Sequence, residues 1–380
     1  MLGAKPLRTS SAVTTHTRNL WNRGGRAFVW LACLGFSVNV LAAVLLEVEA
    51  ILDRPSLDVR ASLPNYRDIE WAKTHFREFA ELATVHHSYV GWRRLPYRGE
   101  TIEIDDHGIR RTYADPAAQP TRTIAFFGGS TMWGSGSDDE HTIPSAFAKA
   151  HPQYRAINLS ETAHTGHQNL NALVQVLAGG LAPDVVVFYN GSSEINKCRA
   201  GLSAFSTTDE PEVRQLLERE RQGFSSIEGL WSIFYPAHAF SQRLRRSLEA
   251  RLHGGLERHD CVTDAGKAEA IARTLLWDWL TAKYLVEGYG GRFIAALQPV
   301  AYFSQTRVDH IHLDEHLREQ YRAVYANYDR LIREFPALHD NFLDLRGAFD
   351  RDEYIYIDSD HAGPNGNALI AAAIGEFLSR

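Results

Sequence analysis

From Ala27 to Leu46 the chain runs for 20 residues without a charge, and winding it as a helix leaves no polar face. That is about the length of a helix that crosses a bilayer core, so one membrane span is predicted over residues 27–46. Beyond it the apolar positions adopt a helical period. Ile69, Trp71, Phe76, Phe79, Ala80 and Ala83 predict an amphipathic helix between about Asn65 and Val85. A loop-rich stretch follows, containing TyrValGlyTrpArgArg (89–94) and Asp106-His-Gly-Ile-Arg110.

From residue 123 onward, short apolar runs alternate with helical segments. Strands are predicted at Thr123–Phe127, Arg155–Leu159 and Asp184–Tyr189, with helices at Ile143–Ala150 and Gln168–Leu177 between them. This βαβαβ order implies a parallel sheet. Helical, charge-rich sequence interrupts it from Asn196 to about Gly288 and includes a long helix from Ala265 to Val286. A strand at Arg292–Leu297, a helix at Glu315–Phe335, a strand at Asn341–Leu345 and a helix at Pro364–Leu378 complete the pattern, with Pro364 suited to a first helical position and Gly363 to its cap. The fold class is therefore α/β, a three-layer α/β/α arrangement on a flavodoxin-like parallel sheet. Its predicted parts are a cytoplasmic tail (1–26), a transmembrane anchor (27–46), a juxtamembrane helix and loop-rich linker (47–120), and a main domain (121–380) carrying a helical cap insertion at about 196–288.

Flanking charge orients the span. Lys5, Arg8, Arg18, Arg23 and Arg26 precede it with no acid among them, and Glu47, Glu49 and Asp53 follow. The positive-inside bias puts the N-terminus in the cytoplasm and the rest outside, which in a Gram-negative cell is the periplasm. A cleaved signal peptide is the competing reading; the apolar run is longer than the usual ~7–15 residues and no small-x-small site follows, which favours an uncleaved anchor. Of three cysteines, Cys33 lies in the span, leaving Cys198 and Cys261 on the oxidising side as a candidate disulfide or as two separate thiols. A net charge of −6 and a pI near 6.3, with no long basic stripe, argue against nucleic-acid binding and suit a neutral or weakly polar substrate.

The chemistry concentrates at three residues. Ser130 follows the apolar run Ile124–Phe127 and two glycines, so its hydroxyl is expected at the carboxyl end of a strand, in a sharp turn. Asp358 and His361 are three apart, a spacing that in a helical turn puts the carboxylate beside one imidazole nitrogen and frees the other. Nucleophile, acid and base in this order suit acyl transfer. The competing readings are a serine that only satisfies turn groups, and Asp358 or Asp360 as a cap of the last helix. Asp360 is the alternative partner for the histidine. His310 and His312 lack companions at metal-ligand spacing, and the glycines of 128–136 lack the Gly-Lys-Ser/Thr ending of a phosphate loop, so neither a metal nor a cofactor is expected. His164 and His167 border the second motif described next, and Gln298-Pro299 ends a strand or contacts substrate.

Four blocks in order resemble the SGNH/GDSL hydrolase superfamily. GlyGlySerThrMetTrpGlySerGly (128–136) is similar to the nucleophile block, with Ser130 at the nucleophile. IleAsnLeuSerGluThrAlaHisThrGly (157–166) resembles the second block, with Ala163 where a glycine amide usually helps to bind the oxyanion. PheTyrAsnGlySerSerGluIle (188–195) resembles the third: Gly191 is kept, Ser193 stands in place of an oxyanion-binding asparagine, and Glu194 replaces an aspartate. AspSerAspHis (358–361) matches Asp-x-x-His. An α/β-hydrolase elbow would require glycine where Met132 stands. The resemblance covers about Tyr89 to Arg380, and with the anchor it is similar to the membrane-anchored bacterial branch. It implies a serine esterase acting on acyl, in particular acetyl, esters of cell-envelope or exported glycans. Ser130, Asp358 and His361 would be catalytic, and the amides of Ser130 and Ala163, with Ser193, would form the oxyanion hole. The alternatives are a glycan O-acyltransferase and a catalytically impaired glycan-binding or scaffold component.

Overall fold

The computed structural model describes residues 12–52, 58–222, 236–237, 240–241 and 259–380. The chain divides into two compact units, residues 1–54 with 215–256 and residues 55–214 with 257–380.

In the first unit, helix α1 (Ala12–Leu52) contains Phe28–Val48, a stretch of 21 residues with mean hydropathy 2.3. It is long and apolar enough to cross a membrane, and Phe28, Trp30, Leu34 and Phe36 are exposed along it. Most of residues 223–258, the middle of the predicted insertion, lies outside the described residues.

The second unit is built on a five-stranded sheet. Strands β5 (Arg122–Gly128), β6 (Tyr154–Asn158), β7 (Val185–Asn190), β8 (Arg292–Leu297) and β9 (Phe342–Asp344) are all parallel and lie in the order β6-β5-β7-β8-β9. Four shorter strands precede them as two antiparallel hairpins, β1 (Thr84–His87) with β2 (Gly91–Arg94) and β3 (Tyr97–Arg98) with β4 (Glu103–Ile104). A helix α2 spans Ala72–Glu81, shorter than the periodicity predicts because 3₁₀ turns at Val59–Ser62 and Pro64–Tyr66 occupy the stretch before it.

Near-continuous apolar runs form the central strands because both faces are covered. Phe127, Val186, Phe188, Phe293 and Ala295 face one helical layer, made of α5 (Gly166–Ala178), α7 (Ala265–Gly288) and α8 (Glu315–Leu331). Ile124, Phe126, Val187, Ile294 and Ala296 face the other, made of α4 (Ile143–Ala150) and α9 (Pro364–Leu378). The helix starts follow their sequences. Thr142 caps α4 through the Ser145 N–H, Thr165 and Gln168 form a capping box on α5, and Pro364 opens α9. A further short helix, α3 (Ser130–Trp133), lies outside these layers, and α6 (Glu210–Gln222) begins in the second unit and continues in the first.

The predicted insertion at 196–288 is narrower than expected. Helix α7 belongs to the sheet's own layer, burying Leu275, Leu276, Trp279, Ala282 and Val286, since a helix with so many apolar positions requires a core to pack against. The helix predicted to reach Phe335 ends as α8 at Leu331, and 3₁₀ turns at Ile332–Glu334 and Pro336–Asn341 follow.

Candidate active site

Ser130 is the first residue of α3, immediately beyond the carboxyl end of β5. The turn requires its two glycines. A Cβ on Gly128 would lie 2.8 Å from the Tyr189 carbonyl oxygen and 2.6 Å from the Met132 Cβ, and one on Gly129 would lie 2.5 Å from the Ser193 Oγ. Arg110 braces the loop that follows. It is fully buried, stacks 4.3 Å from the Trp133 ring centre, pairs with Asp139 at 2.8 Å, and donates to the carbonyls of Gly134 (2.7 Å) and Ser137 (2.6 Å).

On the opposite wall, Asp358 and His361 sit in a tight loop and not in a helical turn. The Ile357 N–H donates to the His361 carbonyl at 2.9 Å, and Tyr356 and Ala362 form an antiparallel bridge across the loop. The Asp358 carboxylate fixes this loop by accepting the N–H groups of Asp360 (3.1 Å) and His361 (2.8 Å). It also holds His361 Nδ1 at 2.8 and 2.9 Å, and His361 Nε2 faces the Ser130 Oγ at 2.6 Å. With the proton on Nδ1 donated to the carboxylate, Nε2 is left to accept from the serine hydroxyl. Gly363 is the N-cap of α9, so neither Asp358 nor Asp360 caps that helix. Gln298 supports the loop by donating to the Asp360 carbonyl at 3.2 Å, the role the structure gives to the Gln298-Pro299 segment.

Burial opposes a charge on His361, but the neighbouring Asp358 and Asp360 carboxylates outweigh it and raise the imidazole to about 9. Burial also pushes Asp358 upward, and the His361 charge together with the hydrogen bonds it accepts holds it well below the ordinary carboxylate range. Asp360 is raised, chiefly by burial. Its carboxylate accepts from the hydroxyls of Ser192 and Ser359.

Ser130, Ala163, Ser193, Tyr321 and His361 line one cleft of about 390 Å³. Ala163 is left-handed at φ 62°, a conformation costing a non-glycine residue roughly 1–2 kcal/mol. Among the described residues, neither its N–H nor that of Ser130 has an acceptor. The loop bearing Ala163 is held by buried Glu161, which accepts from the N–H groups of Arg94 in β2 (2.8 Å) and Thr162 (2.7 Å). In the third block, Glu194 is an internal tie: its Oε1 accepts the Gly166 N–H at the start of α5 (2.7 Å) and its Oε2 pairs with Lys197 (2.5 Å), both side chains being fully inaccessible. Cys198 and Cys261 form a disulfide with their Cα atoms 5.2 Å apart.

His164, His167 and His310 do not line this cleft. Burial lowers His164 to about 3, and its Nε2 faces the Trp92 carbonyl; His167 pairs with Asp278 at 3.0 Å; His310 faces the Tyr356 carbonyl at 2.7 Å. Sequence reasoning did not single out Arg110 or Glu161. A lone arginine or glutamate within a loop-rich stretch carries no spacing signal, because its partners come from distant segments.

No family model and no curated protein matches this sequence. Solved structures that match include a lipolytic G-D-S-L family protein from Veillonella parvula, at 10% identity and TM-score 0.38, covering 68% of this chain and 98% of the other. A GDSL-like lipase from Bacteroides thetaiotaomicron matches at 11% identity and TM-score 0.38, covering 69% and 91%. A carbohydrate acetylesterase family member from Sinorhizobium meliloti matches at 15% identity and TM-score 0.34, covering 68% and 100%. Likenesses this distant decide neither activity nor substrate, and the three-layer fold stands on the sheet and helices described above.

Proposed function

We propose that this protein is a serine ester hydrolase of the SGNH/GDSL type, cleaving acyl, and in particular acetyl, esters on cell-envelope or exported glycans. The observation that carries the reading is the unbroken chain of contacts from Ser130 through His361 to Asp358. In the first step the Ser130 Oγ attacks the ester carbonyl carbon while His361 Nε2 takes the hydroxyl proton, and the carbonyl π pair moves onto oxygen. The free N–H groups of Ser130 and Ala163 would meet that oxyanion. Collapse breaks the bond to the alcohol, which leaves with the proton returned by His361. Water then attacks the acyl-serine, giving its proton to His361 and releasing the acid as Ser130 is restored. Asp358 holds the ring and balances the imidazolium throughout.

Anchored through residues 27–46, with the N-terminus cytoplasmic, the domain would work outside the membrane on esters reaching it there; the apolar, outwardly exposed stretch of α1 supports this placement.

The test is release of p-nitrophenol from p-nitrophenyl acetate, with fluorophosphonate labelling, by the full chain in detergent and by Ser130→Ala. Turnover and labelling that vanish together in the variant are expected, and a folded wild-type chain inert in both assays overturns the reading. Product analysis with an acetylated sugar donor and a free sugar acceptor separates hydrolysis from acyl transfer.

A further inference from the structure

The polar side chains lining the cleft divide into two groups. Ser135, Thr162, Ser192, Tyr321 and Ser359 are each engaged with a protein partner: the Ser130 carbonyl, Glu161, Asp360, Ser192 and Asp360 respectively. Ser193 and Asn196 also line the cleft, and neither side chain has a hydrogen-bond partner among the described residues. Both belong to the 3₁₀ turn Ser193–Cys198, in which side chains three apart eclipse each other. The Ser193 Oγ lies against the Gly129 Cα, beside the peptide that presents the Ser130 N–H. Asn196 therefore shares with Ser193 the face of the turn that lines the cleft, and carries the longer side chain there. Glu194 and the disulfided Cys198 are buried on the far side and hold the turn in place.

We propose that the Asn196 Nδ2 amide is the side-chain donor to the tetrahedral oxyanion, completing the backbone pair of Ser130 and Ala163 and supplying what the Ser193 hydroxyl is too short to give. This inference rests on the ester-hydrolase reading. An unpaired amide has hydrogens to offer when charge develops on the substrate oxygen, without first breaking a protein hydrogen bond, which is the condition for preorganised stabilisation.

The experiment compares wild type, Asn196→Ala, Asn196→Asp and the double variant Ser193→Asn/Asn196→Ala on p-nitrophenyl acetate, with phenylboronic acid as a probe of the tetrahedral state. Loss of one donor predicts a fall of about 100-fold in kcat for both single variants, with KM changed by less than about threefold. Boronate affinity should fall in step with kcat/KM, which a merely structural role would not produce. The double variant, carrying an amide one turn earlier, should regain at least about tenfold in kcat. Circular dichroism checks that each variant is folded. An active wild type with Asn196→Ala kcat within about twofold of it, or a change in KM alone, overturns the assignment and leaves the esterase reading intact. A folded wild type that neither turns over nor labels with fluorophosphonate overturns both.

Discussion

Asp360 Oδ1 lies 3.5 Å from His361 Nδ1, the same ring nitrogen that Asp358 holds at 2.8 Å. Two carboxylates thus favour the imidazolium, and His361 is protonated over a wider range than a single partner would give. Burial works against this charge but loses, leaving His361 raised to about 9. On the ester-hydrolase reading His361 acts as the base only when neutral, so kcat/KM should climb as pH rises through the region near 9, well above the ordinary histidine value. Stability moves oppositely: the raised group contributes fully below its unfolded value of about 6.5, and the contribution is lost as pH rises through the folded value. Asp360→Asn removes one of the charges and should shift the acidic limb of the pH–rate profile to lower pH. A limb in the variant that coincides with that of wild type would show that Asp360 does not set the base.

The ion pair of Glu194 and Lys197 is fully inaccessible to water and ties the turn bearing Ser193 to the start of α5. Lys197→Met strands a buried carboxylate, and breaking such a pair from one side costs about 3–5 kcal/mol. The double variant Glu194→Gln/Lys197→Met replaces charge by neutral groups, keeps an acceptor for the Gly166 N–H, and should recover most of the loss. Urea denaturation of the three proteins measures both quantities. Equal destabilisation of the single and double variants would mean that packing, rather than an unpaired charge, governs this site.

The contrast between Arg292–Leu297 and Asp358–His361 shows which features the sequence makes legible. The strand is predicted with its observed ends because a doubly covered parallel strand is a continuous apolar run, bounded by polar residues. Helices at Ile143–Ala150 and Pro364–Leu378 are equally plain, since Thr142 and Pro364 mark their starts. The Asp358–His361 loop shows its candidate chemistry through spacing but not its shape: the Asp-x-x-His interval fits a helical turn, whereas the backbone is held by the Asp358 carboxylate and a bridge between Tyr356 and Ala362. Likewise, α7 resembles an insertion because it lies within charge-rich sequence, and only the sheet face that receives Leu275 and Trp279 makes it core. Nor does spacing reveal Asn196, whose significance depends on the engagement of its polar neighbours.

Cys198 and Cys261 join segments 63 residues apart, and each lies two residues after a cleft residue, Asn196 and His259. Restricting a loop of that size in the unfolded chain is worth about 4 kcal/mol in the chain-entropy description. Cys198→Ser/Cys261→Ser should therefore unfold at a clearly lower denaturant midpoint, and kcat should fall as the Ser193–Cys198 turn loosens. Both half-cystines are buried, so mild reductant should act slowly on the folded protein. A midpoint shared by the serine variant and wild type would show that the constraint lies elsewhere.

Arg110 offers the sharpest separation of charge from geometry. Its guanidinium reaches Asp139 and the carbonyls of Trp133, Gly134 and Ser137, all around the loop that leaves Ser130. Burial alone lowers its proton affinity, and the Asp139 carboxylate beside it opposes that loss. Lysine keeps the charge but lacks the planar fork, so it cannot meet this set of acceptors from one position. Arg110→Lys should cost about 1–3 kcal/mol through buried carbonyls left without donors, and Arg110→Ala about 3–5 kcal/mol because Asp139 is also stranded. Since Trp133, Gly134 and Ser137 follow closely after Ser130, the lysine variant should also react more slowly with fluorophosphonate while its KM for p-nitrophenyl acetate changes little. Denaturation and labelling kinetics on the same samples make the check. A lysine variant as stable as wild type, labelling at the same rate, would show that charge is all this position requires.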